Sequence, residues 1–278
     1  MPRATVLIAT YHGRFLSQTL ESVLTQTFED FEVLVLDDAA SPECEALVDS
    51  FGDPRLKYRP NAKNLGPAMN HASGLRQAAG ELTAILNHDD LWEPNTLALL
   101  VDAIDANPRA VAAFSRAKVA TTGGGYDSGR THQAWRVWDC HNVQSGVIEN
   151  WFHADTKRLG FPIGPAALFV SAKAAKVRIP KVVGGAYDYW LGYRLARLGP
   201  VVHVLDAVGY WREHEDNLSS YRSAKQVLEQ IYINGRAAGD RKLPLTMRVA
   251  SLKTLPRSLV VLAREAVRGP RRLDRVVE

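Results

Sequence analysis

Apolar runs alternate with amphipathic stretches along the first part of the chain. Compact apolar runs cover Thr5–Thr10, Phe31–Leu36 and Glu81–Leu86, and a shorter strand-like run covers Arg55–Arg59. Between the first two runs, apolar residues recur at helical spacing over Leu16–Thr27, which predicts a helix. Strand, helix and strand in this order form a βαβ unit, so we predict an α/β fold with a doubly wound, mostly parallel sheet.

The same patterning predicts further elements along the chain. Pro42 fits a first helical position and Ser41 precedes it as a candidate N-cap. Further helices are predicted over Pro42–Phe51, Pro67–Ala79, Pro94–Ala106, Tyr187–Leu198 and Ser219–Ala238, and further strands over Ala110–Phe114, Val201–Leu205 and Val208–Glu213. Residues 123–164 are rich in Gly, His and Trp with weak periodicity, so we expect loops and short strands there.

Polar residues gather where the predicted strands end. Thr10-Tyr11 follows the first strand, Asp37-Asp38 ends the second, and His88-Asp89-Asp90 follows the fourth. In a doubly wound sheet, ligands bind outside the carboxyl ends of the strands. We therefore expect a binding site formed by these three segments.

The acidic pairs support two interpretations each. Asp37-Asp38 can accept hydrogen bonds from a ribose hydroxyl or a base N–H, or can form an Asx-turn. Asp89-Asp90 suits a hard divalent cation that keeps positions open for phosphate oxygens, or can cap the next helix. A metal-free dinucleotide site is excluded, because the turn after the first strand has only Gly13 where a Gly-rich loop is needed.

Composition places the chain among globular proteins. Its 278 residues are 46% hydrophobic and 23% charged, with Cys44 and Cys140 as the two cysteines, for which we expect buried, reduced thiols. No apolar stretch approaches the roughly 20 residues of a membrane-spanning helix, and Val6–Ala9 is too short for the core of a signal peptide. We therefore expect a cytoplasmic protein.

Charge is unevenly distributed. The net charge is +4, but residues 241–278 hold ten Lys/Arg against three Asp/Glu, so the rest of the chain is mildly acidic. A nucleic-acid partner is therefore not expected. Leu255, Leu259, Leu262 and Ala266 recur at helical spacing, with arginines beside them. This tail helix could lie on an anionic membrane surface, pack on the body or form a dimer interface.

Four segments resemble family 2 glycosyltransferases of the GT-A fold, in order and spacing. They are VLIATYHGRFLSQTLESVLTQTFEDFEVLVLDDAAS, NLGPAMNHASGLRQAAGELTAILNHDDLWEPNTL, YDYWLGYRLARLG and YWREHEDNLSS, covering residues 4 to about 221. The resemblance implies a GT-A-type Rossmann-like sandwich over residues 1–220, followed by a helical, basic extension over residues 221–278. It also implies an enzyme that moves a sugar from a nucleotide-diphospho-sugar to a hydroxyl acceptor with inversion, assisted by Mn²⁺ or Mg²⁺.

The resemblance further implies roles for single residues. It places Asp188 at the catalytic base, Asp90 at the metal, and His214 near the metal or the diphosphate. The implied nucleotide-binding residues are Thr10, Tyr11, Asp37, Asp38, His71 and Asp89. Two departures are visible: the family often has Arg-Asn where this chain has His71-Ala72, and an acidic residue where Tyr187 precedes Asp188.

The implied partners are the donor and a saccharide, lipid-linked or small-molecule acceptor. The tail adds a homodimer and a peripheral position at the inner membrane face as expectations.

Two rival functions remain for comparison. A metal-dependent nucleotidyltransferase acting on sugar phosphates would need a basic, Gly-rich loop after the first strand, which is absent. A non-catalytic sugar-nucleotide binding module would be expected to lack Asp90 or Asp188, and both are present.

Overall fold

The computed structural model describes residues 1–11, 13–123, 125–137, 142–154, 158–215, 217, 221–268 and 271–272. The strands are β1 (Ala4–Thr10), β2 (Phe31–Asp37), β3 (Leu56–Pro60), β4 (Leu82–Asn87), β5 (Leu91–Trp92), β6 (Ala112–Phe114), β7 (Lys118–Ala120), β8 (Gly146–Ile148), β9 (Ala167–Val170), β10 (Val201–His203), β11 (Gly209–Arg212), β12 (Tyr221–Arg222) and β13 (Arg271–Arg272). The helices are α1 (Leu16–Leu24), α2 (Pro42–Ser50), α3 (Pro67–Gln77), α4 (Thr96–Asp105), α5 (Ser128–Val137), α6 (Ser171–Ala174), α7 (Tyr187–Ala196), α8 (Ala224–Ala238) and α9 (Leu245–Arg268), with 3₁₀ turns at Trp151–His153 and Lys181–Ala186.

The central sheet has the strand order β3-β2-β1-β4-β9-β6-β10-β8. Strands β1 to β4 run parallel, whereas β9 runs antiparallel to both β4 and β6. A smaller sheet has the strand order β5-β11-β7. The predicted α/β class with a mostly parallel central sheet is therefore confirmed.

Each face of the central sheet buries its own apolar cluster. Val6 and Ile8 of β1 belong to one cluster, and Leu7 between them belongs to the other, as the alternation of side chains along a strand requires. Helices α1, α2 and α4 cover the first face, and α3, α7 and α8 cover the second. Since Ile233 and Ala237 of α8 are buried in the second cluster, α8 packs on the same core as the strands. The division at residue 220 stays a prediction.

Helix α7 lies unusually close to the backbone of Gly160 and Phe161, in the segment before β9. A Cβ on Gly160 would meet the backbone N of Tyr193 at 2.2 Å, and a Cβ on Gly192 would meet the carbonyl O of Phe161 at 2.2 Å. Both glycines are therefore required for this contact, because no larger side chain fits between two backbones. The contact fixes α7, which carries Asp188, against the body.

Most predicted elements are confirmed to within a few residues. The prediction of loops and short strands over residues 123–164 is wrong for α5. This helix is held by polar contacts, which leave no apolar stripe: Asp127 Oδ1 accepts from Arg130 N at 2.9 Å, and Thr131 Oγ1 accepts from Val119 N at 2.8 Å. Strand β9 lies where no element was predicted.

The C-terminal helices also differ from their predicted bounds. Helix α8 starts at Ala224, because Ser223 and Gln226 form a capping box; the predicted start at Ser219 lies outside the described residues. Helix α9 begins at Leu245, ten residues before Leu255, and contains Pro256; its predicted end at Gly269-Pro270 is also outside them. It packs along α8. In the described part of the chain, no helix combines the length and the apolar character needed to cross a membrane.

Candidate active site

The carboxyl ends of β1, β2 and β4 meet at one edge of the central sheet. In the parallel register, Thr10 lies beside Asp37, and Ala9 lies beside Asn87. The segments after these strands therefore lie next to one another. This is the arrangement that the sequence predicted for a ligand-binding edge.

The segment after β1 carries Thr10 and Tyr11. Thr10 is buried; its Oγ1 accepts from Gly13 N at 3.2 Å and its carbonyl accepts from Asp38 N at 2.9 Å. Tyr11 has 46% of its surface exposed at the edge. The structure thus joins the predicted nucleotide-binding residues of β1 to those that follow β2.

Asp37 organises the turn after β2. Its Oδ1 accepts from Ala39 N at 2.9 Å, and its Oδ2 accepts from Ser41 N and from the Tyr58 hydroxyl, both at 2.8 Å. These bonds correspond to the Asx-turn interpretation of this aspartate. A nucleotide contact by Asp37 stays a prediction.

Asp38 holds the loop that leads into α3. Its carboxylate is buried and accepts from the backbone N of Leu65 at 2.8 Å, from Gly66 N at 2.7 Å and from Asn61 Nδ2 at 2.9 Å. Gly66 has φ of +76°, in the left-handed region that favours glycine, and it precedes the first helical residue, Pro67. Asp38 thereby fixes the loop that borders the edge of the sheet.

His71 is buried one turn into α3. Its Nδ1 lies 2.8 Å from the carbonyl of Pro67, and its ring stacks on Tyr187 with 4.0 Å between centroids. Burial lowers the pKa of His71 to about 4, so the ring is neutral and Nδ1 donates. Its Nε2 is a buried acceptor without a hydrogen-bond partner in the described structure. A buried acceptor of this kind fits a hydrogen-bond donor on a bound ligand.

The loop after β4 places two carboxylates side by side. Asp90 is buried; its Oδ1 accepts from Arg212 N at 3.1 Å and its Oδ2 from Asn87 Nδ2 at 3.1 Å. Burial and the neighbouring charge of Asp89 raise the pKa of Asp90 well above its usual range. His214 Nε2 lies 3.0 Å from Asp89 Oδ2, so the predicted metal and nucleotide residues are in direct contact.

Burial favours the neutral form of Asp89, but the hydrogen bond from His214 and nearby cationic charge outweigh it and lower its pKa. The loop therefore keeps Asp89 ionised beside Asp90, whose carboxyl is poorly solvated. Asp90 is the group whose charge a bound cation would stabilise most.

Arg212 is a fully buried cation behind these carboxylates, and the sequence analysis did not single it out. Its guanidinium donates to the carbonyl of Asp89 at 2.9 Å, to that of Thr122 at 2.6 Å and to Gln18 Oε1 at 2.7 Å. Burial lowers the pKa of Arg212, while the charges of Asp89 and Asp90 oppose that shift. The only signal in the sequence was its position within the segment YWREHEDNLSS, two residues before His214.

A hydrogen-bond chain links the acidic loop to the start of α7. The Tyr187 hydroxyl donates to Asn87 Oδ1 at 2.8 Å, and Asn87 Nδ2 donates to Asp90 Oδ2. Asp188 follows Tyr187 in the first turn of α7, and its Oδ1 accepts from Tyr189 N at 2.7 Å. The predicted base is therefore tied to the predicted metal ligand through Tyr187 and Asn87.

The Asp188 carboxyl is held in a poorly solvated setting. Burial raises its pKa, and the positive charge of Arg158 opposes part of that shift. The residue at the N-cap position of α7 is Ala186, whose side chain makes no cap bond, so Asp188 is not the N-cap. A carboxylate with a raised pKa can accept a proton near neutral pH.

Glu229 of α8 supplies a second carboxylate at the same turn. It is buried and accepts from Gly185 N at 3.2 Å and from Ala186 N at 3.0 Å. It satisfies two backbone donors that precede α7, which the Ala186 side chain cannot do. Local spacing could not predict this contact, because Glu229 lies 41 residues after Asp188 in the sequence.

Among the described residues, no group of three or more His, Cys, Asp or Glu side chains could hold a metal ion by itself. Mg²⁺ is usually bound by one or two carboxylates together with substrate phosphates, so this finding is compatible with a donor-assisted site. The adjacent carboxylates of Asp89 and Asp90, with His214 in contact with Asp89, fit that requirement.

Comparison with known proteins identifies the family. Residues 5–169 match the family model of Glycosyl transferase family 2, which covers more than half of the chain. The chain therefore belongs to this family, and the resemblance found in its sequence is confirmed.

One relative and two solved structures illustrate the similarity. A glucosyl-dolichyl phosphate glucuronosyltransferase of Haloferax volcanii is 32% identical over 114 residues, which cover 40% of this chain and 36% of that protein. The structure of S. aureus TarS 1-349 with UDP-GlcNAc has TM-score 0.68 at 18% identity and covers 92% of this chain and 71% of that one. The structure of the mannosyltransferase PcManGT of Pyrobaculum calidifontis, in complex with GDP-Man and Mn²⁺, has TM-score 0.64 at 21% identity. The match covers 96% of this chain and 76% of that one.

The matched segment thus spans about a third of that relative's length. The structural likenesses show the fold and not the substrate.

Proposed function

We propose that the protein is a glycosyltransferase that moves a sugar from a nucleotide-diphospho-sugar to a hydroxyl acceptor, with inversion. The observation that carries this proposal is the hydrogen-bond chain from Tyr187 through Asn87 to Asp90. It holds Asp188 at the same sheet edge as the acidic loop. Family membership and the nucleotide sugars in the two similar structures support the choice of donor.

In the proposed reaction, Asp188 takes the proton of the acceptor hydroxyl as its oxygen attacks the anomeric carbon. The new bond forms on the face opposite the leaving group, and the bond to the diphosphate oxygen breaks. The nucleoside diphosphate leaves with that electron pair. One carboxylate for the acceptor proton and stabilisation of the leaving group are the two requirements of this chemistry.

The remaining site residues hold the donor in this proposal. Thr10, Tyr11 and His71 line the nucleotide pocket, where the unpartnered Nε2 of His71 accepts from the donor. Asp38 and its loop bind the base or ribose, with Asp37 supporting the turn. Asp89 approaches the ribose.

Asp90 and His214 would hold Mn²⁺ or Mg²⁺ together with the diphosphate oxygens. A bound divalent cation supplies positive charge that stabilises the departing diphosphate. The Mn²⁺ in the mannosyltransferase structure supports this assignment, although which metal this protein uses is part of the proposal.

The Asp188→Asn variant tests the base. Asn keeps the size and the hydrogen-bonding shape but cannot take a proton, so we expect turnover to fall by about 10²–10⁴-fold. Donor affinity should change little, because the nucleotide is held by other residues. Single-turnover release of nucleoside diphosphate from UDP-glucose, UDP-GlcNAc and GDP-mannose, together with donor titration, measures both. Asp102→Asn, at an exposed position of α4, is the matched control. Near wild-type turnover in Asp188→Asn would remove Asp188 from the mechanism.

The Asp90→Asn variant tests the metal site. The amide keeps an acceptor for Arg212 N but loses the charge, so we expect Mn²⁺ to stop strengthening the binding of UDP or GDP. Calorimetric titration with Mn²⁺ and with a chelator measures this difference, and a thermal melt establishes that the variant is folded. If the variant responds to Mn²⁺ as the wild type does, Asp90 is not the ligand.

The acceptor and the membrane contact are proposed on separate grounds. The Haloferax volcanii relative is named for glucosyl-dolichyl phosphate, which supports a lipid-linked acceptor. We define the α9 stripe as five large apolar residues exposed on the described part of α9: Leu245, Val249, Leu252, Leu259 and Val260, each at least 40% exposed. Beside the α9 stripe lie Arg248, Lys253, Arg257 and Arg264, and the one acidic residue of the helix, Glu265, is buried. An apolar stripe flanked by cations matches an anionic membrane surface.

A further inference from the structure

A cavity of about 940 Å³ lies between α3, residues 174–181, α7 and α8. It is lined by six cationic side chains and by no Asp or Glu. The cations are Arg76, Lys176, Arg178, Lys181, Arg194 and Arg236. None of the residues assigned to sugar transfer lines it, so it is distinct from the candidate active site.

The six cations lack neutralising partners within the described ranges. None of them takes part in a salt bridge there. The charge of Arg194 contributes to lowering the pKa of Asp240, but Asp240 is already paired with Arg197, whose Nε lies 2.7 Å from Asp240 Oδ2. Cations of one sign around a concave surface focus a positive potential there, which attracts an anion.

The floor of the cavity is formed by buried apolar side chains. Leu75, Ile179 and Trp190 are each at most 5% exposed and contribute to it. Trp190 Nε1 donates to the carbonyl of Arg178 at 2.9 Å, and its ring contacts Tyr232 with centroids 5.6 Å apart. These contacts fix the wall that carries the Arg178 side chain. A phosphate on an apolar chain would match both the cationic rim and the apolar floor.

We infer that this cavity binds the phosphate group of an anionic lipid, at a site separate from that of sugar transfer. Arginine and lysine donors around the rim bind the phosphate oxygens through charge-assisted hydrogen bonds. The apolar floor takes the adjoining part of the lipid chain. This inference does not depend on the proposed catalytic roles.

The test uses a soluble lipid, monomeric short-chain phosphatidic acid, titrated by calorimetry into the 278-residue protein. The triple variant Arg76→Gln/Arg194→Gln/Arg236→Gln should weaken its binding by about 10- to 100-fold, because three charged donors are lost. The matched control is Arg59→Gln/Arg109→Gln/Arg130→Gln, which removes the same charge at exposed positions outside the cavity lining. We expect the control to change the affinity by less than about twofold, since none of its three cations lines the cavity. A thermal melt should show both variants folded.

Two outcomes would overturn the inference. Equal losses in the two triple variants would show that net charge, and not the cavity, determines binding. Inorganic phosphate or diphosphate binding as tightly as phosphatidic acid would assign the cavity to a soluble anion and remove the lipid. Tighter binding of the lipid, lost in the cavity variant alone, is the result that supports it.

Discussion

His71 stands where the family often has an arginine, and its burial makes the protein's stability depend on pH. The pKa of His71 is about 4 in the folded state, against an ordinary value of 6.5. Between these values the unfolded chain binds the proton and the folded protein does not. The free energy of unfolding therefore falls as the pH drops from 6.5 toward 4, by up to about 3 kcal/mol from this group.

The His71→Phe variant removes this dependence and keeps a ring to stack on Tyr187. As the pH falls through that interval, we expect the free energy of unfolding to decrease less in the variant than in the wild type. Urea unfolding at several pH values measures the difference. His203, whose pKa burial also lowers, is present in both proteins, so it cancels in the comparison. Parallel pH profiles would contradict the prediction.

At the scale of single residues, the sequence predicted the acidic positions but not their partners. Asp38, Asp89 and Asp90 each follow a strand, and the carboxyl ends of parallel strands lie at the same edge of the sheet. Arg212 and Glu229 reach the site from later segments. Their contacts depend on how distant elements pack, which local spacing cannot express.

The turn before α7 depends on another element of the fold. Glu229 of α8 accepts from Gly185 N and Ala186 N, and a Cβ on Gly184 would come within 2.3 Å of Glu229 Oε1. Gly184 also has a positive φ of +35°, so this close approach needs glycine. Two helices distant in sequence are thus joined at the residues that precede Asp188.

The Glu229→Ala variant should lower stability. The variant leaves two backbone donors without an acceptor, which lowers the free energy of unfolding by about 1–3 kcal/mol for each donor that stays buried. Removal of the poorly solvated Glu229 carboxylate offsets part of this loss. Glu229→Gln keeps one acceptor oxygen, so its loss should be smaller. Gln230→Ala, at an exposed position of α8, is the control. Chemical denaturation measures these differences. If Glu229→Ala is as stable as the Gln230→Ala control, Glu229 does not stabilise the turn before α7.

At the scale of elements, strong patterns were predicted well and weak ones were not. β1, β2 and β4 are apolar runs buried on both faces, and their bounds agree closely with the prediction. Helix α5 was missed because Thr131 and Asp127 hold it through hydrogen bonds. Such bonds leave no periodic apolar signal in the sequence.

For the molecule as a whole, the uneven charge of the sequence becomes a spatial feature. The basic C-terminal region forms α9, which packs along α8 and still exposes the α9 stripe. Packing on the body was one of the three alternatives for this segment, and it accounts for the buried Ser251 and Glu265. The exposed side of the helix remains available for a partner, and its cations favour an anionic surface.

The Leu252→Ser/Leu259→Ser variant tests that surface. These side chains are 58% and 56% exposed, so their replacement should hardly alter folding stability. Membrane binding should fall at least about tenfold, because burying a leucine contributes about 1.5–3 kcal/mol. Cosedimentation with phosphatidylcholine vesicles, with and without phosphatidylglycerol, measures it, and Leu198→Ser/Leu205→Ser serves as a control at exposed leucines elsewhere. If the variant instead turns a wild-type dimer into a monomer and binds vesicles unchanged, the α9 stripe is an interface between two copies of the chain.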